Sequence, residues 1–136
     1  MKRVVVHVDG GARGNPGPAA AAAVLTDPET GEVLDEATEY LGHATNNVAE
    51  YRGLLLGLAR ATALGAEAVE VVNDAELIAK QVAGEYKVKH PDMKALHAEA
   101  LAALASFGSW SIRSVPRAQN ADADALVNQA LDAARD

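Results

Sequence analysis

Apolar residues along the chain recur with two different periods. Alternating or continuous runs rich in β-branched residues predict strands near residues 2–8, 19–26, 32–41, 67–72 and 110–115. The second run is the weakest of these, since Ala19 to Ala23 would also suit a helix. From Val48 the period lengthens: Val48, Tyr51, Leu55, Leu58 and Thr62 recur at helical spacing, as do Met93, Leu96, Ala100, Leu104 and Phe107. Helices are expected from about residues 46, 75, 91 and 120. Gly10 to Pro18 and Asp27-Pro28-Glu29-Thr30-Gly31 carry turn formers and read as hairpin connections, so the first three strands form an antiparallel meander. Strands four and five each follow a helix and are expected to pair in parallel. The order β-β-β-α-β-α-α-β-α predicts an α/β fold with a five-stranded mixed sheet, three strands antiparallel and then two parallel, flanked by helices on both faces.

Composition narrows the chemistry. With 136 residues, of which 49% are hydrophobic, the chain can bury one core, and a single domain over residues 1–136 is expected. No run reaches the roughly 18 apolar residues of a membrane span, and Met1-Lys2-Arg3 leads straight into a strand, so a soluble, cytoplasmic protein with no membrane partner is expected. A monomer is the expected oligomeric state. Zero cysteines exclude disulfides, thiolate metal sites and cysteine nucleophiles, which leaves any metal to oxygen or histidine ligands. A formal net charge of −7 argues against holding nucleic acid by a global basic field.

Candidate chemistry lies at one strand end and three helix starts. Asp9 stands where the first strand meets a glycine-rich stretch, and Asp74 follows the fourth strand. Asn47-Val48-Ala49-Glu50, Asn73-Asp74-Ala75-Glu76 and Asn120-Ala121-Asp122-Ala123-Asp124 each open a predicted helix. Taken singly, each is a capping signature: Asn at the N-cap, acids in the first turn. Taken together they are more, because helices that follow strands begin at the strands' carboxyl ends, where ligands bind α/β sheets. Glu50 falls about a quarter-turn off the apolar face of its helix, which puts it at the rim. In the last helix Ala123, Leu126, Val127, Ala130 and Ala134 form the buried stripe, and Asp122 and Asp124 flank it on opposite sides, so one of the two can join an acid cluster. Four clustered carboxylates repel one another and raise each other's pKa values. Hard divalent ions reverse that sign, and two of them can flank a phosphodiester during in-line attack by water.

Four segments in this order, Asp9 to Pro18, Thr45 to Tyr51, Asn73 to Leu77, and Val115-Pro116-Arg117 with Asn120 to Asn128, resemble type 1 ribonuclease H, the nuclease that cuts the RNA strand of RNA·DNA hybrids. The resemblance spans nearly the whole chain. It implies a ribonuclease H-like fold, Mg²⁺ (or Mn²⁺) as cofactor with two ions per site when substrate is bound, and Asp9, Glu50, Asp74 and Asp124 as catalytic metal ligands, choosing Asp124 over Asp122. It implies an RNA·DNA hybrid as partner and products with 5′-phosphate and 3′-hydroxyl ends. The segment Gly84 to Asp92 matches the compact form without a basic protrusion, which looks like archaeal and actinobacterial members. Two departures matter: Asn73 and Ala75 replace the hydroxyl residues that more often flank the third acid, and Arg117 stands where some relatives place a mobile histidine.

The resemblance implies substrate contacts at Gly10, Gly11, Asn46 and Asn47 in the minor groove, at Asn15 on nucleic acid, at Thr45 in a pocket for a DNA-strand phosphate, at Glu76 with Glu50 on 2′-hydroxyls, and at Arg13 and Arg117 on phosphates. Each has a plainer reading: hairpin turn for the glycines, helix cap for Asn47, solvated charge for Arg13 and Arg117. Lys80, Lys87, Lys89 and His90 form a local basic group that reconciles the net charge with a nucleic-acid substrate. His43 reads equally as a loop residue or a phosphate contact, His7 as a strand residue, His97 as helix surface, Trp110 as core or edge packing, and Tyr51 and Phe107 as core. The rival function is a catalytically weakened or inactive hybrid-binding module, part of a larger protein, disabled around Asp74.

Overall fold

The computed structural model describes residues 2–135; Met1 and Asp136 lie outside that range. Five strands, β1 (Arg3–Ala12), β2 (Gly17–Thr26), β3 (Val33–Ala44), β4 (Ala68–Asn73) and β5 (Ser109–Ser114), form one sheet in the order β3-β2-β1-β4-β5. The β1–β2 and β2–β3 pairs are antiparallel, and β1–β4 and β4–β5 are parallel, as expected. Helices α1 (Asn46–Ala63), α2 (Glu76–Val82) and α3 (Pro91–Ala105) bury the main core on one face, and α4 (Ala121–Arg135) packs on the other. Val4, Val6 and Val8 of β1 alternate into the main core, where they meet Val69, Val71, Tyr51, Leu54, Leu58, Ile78 and Leu104. The opposite layer is thinner: Val127 and Leu131 of α4 rest on Ala20 and Ala22. Each buried Val or Leu contributes about 1.5–3 kcal/mol, so the α1 face supplies most of the stability and the α4 face little.

Several boundaries differ from expectation for identifiable reasons. Asp9 does not end β1, which continues through Gly10, Gly11 and Ala12, paired with Ala21, Ala20 and Ala19. The hairpin connection is therefore only residues 13–16, closed by Arg13 N–H donating to the Pro18 carbonyl at 2.8 Å. Gly14 does serve the turn, with a φ of 92°, but Gly10 serves close approach instead. A Cβ on Gly10 would fall on the Ala49 backbone of α1, and one on Gly53 would sit 3.1 Å from the Asp9 carbonyl carbon. Helix α1 thus lies directly on the β1 backbone. The run from Ala19 to Ala23 is strand, β3 extends far enough to include His43, and Thr62 and Ala134 are exposed rather than part of their helices' buried faces.

The sheet opens where the chemistry was expected. The parallel ladder between β1 and β4 ends at His7–Val72, whereas β1 runs on beside β2 to Ala12. Past that last pair Asp9, two residues along β1, and Asp74, two residues after Val72, line the same cleft. This matches the rule that α/β sheets bind ligands beyond strand carboxyl ends.

Gly53→Ala should lower stability by about 1–3 kcal/mol in urea denaturation, because overpacking against Asp9 outweighs the roughly 1 kcal/mol gained by replacing a helical glycine. Equal or greater stability would contradict the close-contact reading.

Candidate active site

The α1–β1 contact determines where Glu50 lies. With no side chain at Gly10 or Gly53 to hold the helix off, Glu50 is buried to 9% exposure beside Asp9 at 5%, rather than standing at the rim. One carboxylate oxygen from each of Asp9, Glu50 and Asp74 lies within 4.8 Å of the others, the only such group of acidic or metal-binding side chains among the described residues. Burial, and then the neighbouring Asp74, pushes the Asp9 carboxyl well above the usual carboxylate range. Glu50 is pushed up further, by burial first and then by Asp9 and Asp74. Its Oε2 atom is buried without a hydrogen-bond partner. Three convergent carboxylates, two of them destabilised as anions and one, Glu50, with a buried unpartnered oxygen, are a donor set that fits divalent cations such as Mg²⁺ or Mn²⁺.

A cleft of about 450 Å³ surrounds this cluster. Of the residues expected to form the site, Asp9, Gly10, Gly11, Arg13, Asn46, Glu50, Asp74, Arg117 and Asp124 line it. Asp124 joins the cleft without joining the tight triad: its Oδ1 accepts from Arg117 Nη2 at 2.9 Å. Asp122 faces a separate cavity with His7 and Asn120, so the two acids flanking the α4 stripe do part to opposite sides. A second cavity of about 290 Å³, at the starts of α1 and α3, is lined by Asn15, Thr45, Asn47 and His90. Glu76 lines neither; its carboxylate pairs with Lys80 at 2.6 Å on the exposed side of α2.

Some polar residues also hold local structure. Thr45, not Asn47, is the N-cap of α1, with Oγ1 accepting from Val48 N–H at 3.2 Å. The Asn46 side chain accepts from Ala12 N–H at 2.8 Å, and Asn15 accepts from Asn46 N–H at 3.0 Å, which fastens the β1–β2 connection to the helix start. Ala75 sits at the N-cap of α2, so Asn73 caps nothing; it is buried, and neither its amide oxygen nor its nitrogen has a partner. Arg13 is engaged by Asp132 at 2.7 Å on α4. His97 is half-buried rather than a surface residue, donating from Nε2 to the Gln81 carbonyl at 3.0 Å and lying edge-on to Tyr51. Trp110 lies on the edge strand β5, partly exposed, and Phe107 is core. Residues that sequence reasoning missed are Ala12, Val127, Asn128 and Leu131, which complete the cleft wall. Only Asn128 carried a signal, one helical turn after Asp124.

Comparisons with known proteins agree with this fold. Residues 7–130 match the family described as reverse transcriptase-like. The bifunctional protein Rv2228c of Mycobacterium tuberculosis is 48% identical over 132 residues, 97% of this chain and 36% of that protein. The chain therefore spans little more than a third of that relative's length. Ribonuclease HI of Halobacterium salinarum is 42% identical over 130 residues, 96% of this chain and 65% of that protein. Among solved structures, the N-terminal ribonuclease H domain of the mycobacterial protein superposes with a TM-score of 0.96 at 47% identity, covering 99% of this chain and 97% of that one. The LC11 ribonuclease H1 in complex with an RNA/DNA hybrid gives 0.93 at 40% identity, covering 98% and 99%. No helix among the described residues is long and apolar enough to cross a membrane. With this fold, this order of acids and these near full-length matches, the chain belongs to the type 1 ribonuclease H family.

Proposed function

We propose that this domain hydrolyses the RNA strand of RNA·DNA hybrids in a divalent-metal-dependent reaction that leaves 5′-phosphate and 3′-hydroxyl ends. The observation that carries this reading is the convergence of Asp9, Glu50 and Asp74 within 4.8 Å in an open cleft, with Asp124 on its wall. In this reading those four carboxylates hold two Mg²⁺ or Mn²⁺ ions. When bound, such ions activate the attacking water and stabilise the departing 3′-oxygen.

The chain's own residues do the rest. Asp9 and Glu50, fixed by the α1–β1 contact, hold their charge in one place without reorganising, which is the main requirement of electrostatic catalysis. Gly11, beside the buried Gly10, presents bare backbone on which a wide, shallow minor groove can settle, and Glu50 accepts from a ribose 2′-hydroxyl there, telling RNA from DNA. Glu76 contributes a second such acceptor by giving up Lys80. Asn15, Thr45, Asn47 and His90 offer side-chain donors to a backbone phosphate of the other strand in the second cavity. Arg117 exchanges Asp124 for phosphate as substrate enters; a guanidinium does not release its proton at neutral pH, so it binds charge and does not shuttle protons. The few cations around an acidic centre make binding weak and dependent on salt.

Asn73 and Ala75 support activity rather than the inert binding module. The side chain of Asn73 points into the interior, Ala75 replaces a hydroxyl with a methyl, and neither lines the cleft, whereas the Asp74 carboxylate keeps its place in the cluster.

A labelled RNA·DNA hybrid should be cut in Mg²⁺ or Mn²⁺ by the wild-type chain, and Asp9→Asn should reduce the rate by about 10³-fold. Asp124→Asn should cost far more than Asp122→Asn; equal losses would mean that the cleft assignment of α4 is wrong. Hybrid binding without cleavage by the wild type would favour the module.

The metal-free protein should also show the cost of the buried acids. Their folded pKa values lie above the unfolded ones, so the folded state holds protons that the unfolded state releases. The stability linked to those protons is complete below about pH 4 and is lost as pH rises. Thermal melts in a chelator should therefore fall more steeply from pH 5 to pH 8 for wild type than for Asp9→Asn, and Mg²⁺ at pH 8 should raise only the wild-type midpoint. Parallel melting curves would contradict this.

A further inference from the structure

Asn120 is 2% exposed at the end of a 3-10 turn (Arg117–Asn120) that leads into α4, and its side chain does not act as a helix cap. Its Nδ2 instead donates to the Val8 carbonyl at 2.8 Å, across 112 residues of sequence. Val8 is the residue before Asp9 and the first on β1 beyond the last pair with β4, where the sheet's own ladder on that side has ended. The Val8 carbonyl can only accept, so the amide faces it in one way: turned over, it would set oxygen against oxygen in a buried position, whereas the observed orientation leaves Oδ1 on the side of the cavity it shares with His7. The rest of α4 is held on the sheet mainly by the buried Ala123 in its first turn and by Val127 and Leu131 against alanines, two and three turns after Asn120. Asp124 lies between these anchors, one turn after Asn120.

We propose that Asn120 is a positioning residue: its amide ties the start of α4 to β1 beside Asp9 and thereby holds Asp124 at the cleft. The inference deepens the nuclease reading and rests on it for its kinetic consequence. Alanine at this position leaves the Val8 carbonyl without its donor and lets the first turn of α4 shift. Displacements of about 1 Å near reacting groups cost on the order of 10²-fold in rate. A purely structural role makes a different prediction, a general loss of stability with no tie to Asp124.

The test compares wild type, Asn120→Ala, Asp124→Asn and the double variant. On a labelled hybrid, Asn120→Ala should lower kcat by about 10²-fold with KM changed less than about twofold, and the same substitution in the Asp124→Asn background should lower kcat by less than about twofold. Amide exchange should accelerate at residues 121–125 and stay unchanged in β1 and α1, and Mn²⁺ affinity by calorimetry should fall in Asn120→Ala but not further in the double variant. Multiplying losses in the double variant, or unchanged exchange at 121–125, would overturn the proposal. If the wild type binds Mn²⁺ but does not cut the hybrid, the nuclease reading fails alone, and exchange with Mn²⁺ affinity still decides the role of Asn120. Should Asn120→Ala not fold, Asn120→Ser, which keeps a polar atom but is too short to reach Val8, takes its place with the same expected outcomes.

Discussion

The like-charge contact between buried Asp9 and Glu50, with Asp74 beside them, is the constraint on which the remaining structure depends. At separations of 4.8 Å or less, each pair of ionised carboxylates costs at least roughly 3 kcal/mol at an effective dielectric constant of about 20. A domain of this size has a total stability of about 5–15 kcal/mol, so three ionised acids cannot simply be tolerated there. Either protons remain on Glu50 and Asp9, or divalent cations neutralise the cluster. Both outcomes follow from geometry fixed elsewhere, by the glycines that seat α1 on the β1 backbone. The fold spends stability on the cluster and recovers it through the apolar face between α1 and the sheet.

The two layers of the molecule divide the work. The thick layer, with α1 in contact with β1, presents Asp9 and Glu50 rigidly. The thin layer brings α4, with Asp124, across a surface of small alanines, where a single buried amide and a few apolar contacts hold the helix start. Arg13 and Arg117 are both engaged by acids of α4, so the positive charge beside the cleft is committed internally until a polyanion competes for it. This is how a chain of net charge −7 can present local cationic contacts to nucleic acid without a basic surface.

Much of this was legible in the sequence because two periods, strand and helix, alternate cleanly and the acids sit at the junctions between them. The antiparallel meander, the parallel pairing of the last two strands and the meeting of Asp9, Glu50 and Asp74 follow from that. What the sequence hid has one physical source: a residue's identity gives its propensity, not its neighbour. Gly10 and Gly11 look like turn residues, yet both lie inside a strand, and the approach of Ala49 shows why position 10 needs a glycine there. Asn47 and Asn120 look like helix caps, yet Thr45 caps α1 and Asn120 bonds to a strand 112 residues away. Glu50 looked like a rim residue because helical angle alone was counted, without the depth to which a glycine contact lets a helix sink. His97 looked exposed because the Gln81 carbonyl that receives it comes from another helix.

The most direct measurement is the proton balance of metal binding, taken by calorimetric titration of the chelator-treated protein with Mn²⁺ in buffers of different ionisation enthalpy near pH 7. Displacement of protons from Glu50 and Asp9 predicts net proton release on binding, and Glu50→Gln should abolish most of it. Metal binding that releases no protons, or an affinity unchanged by Glu50→Gln, would contradict the claim that divalent cations relieve the crowding of these carboxylates.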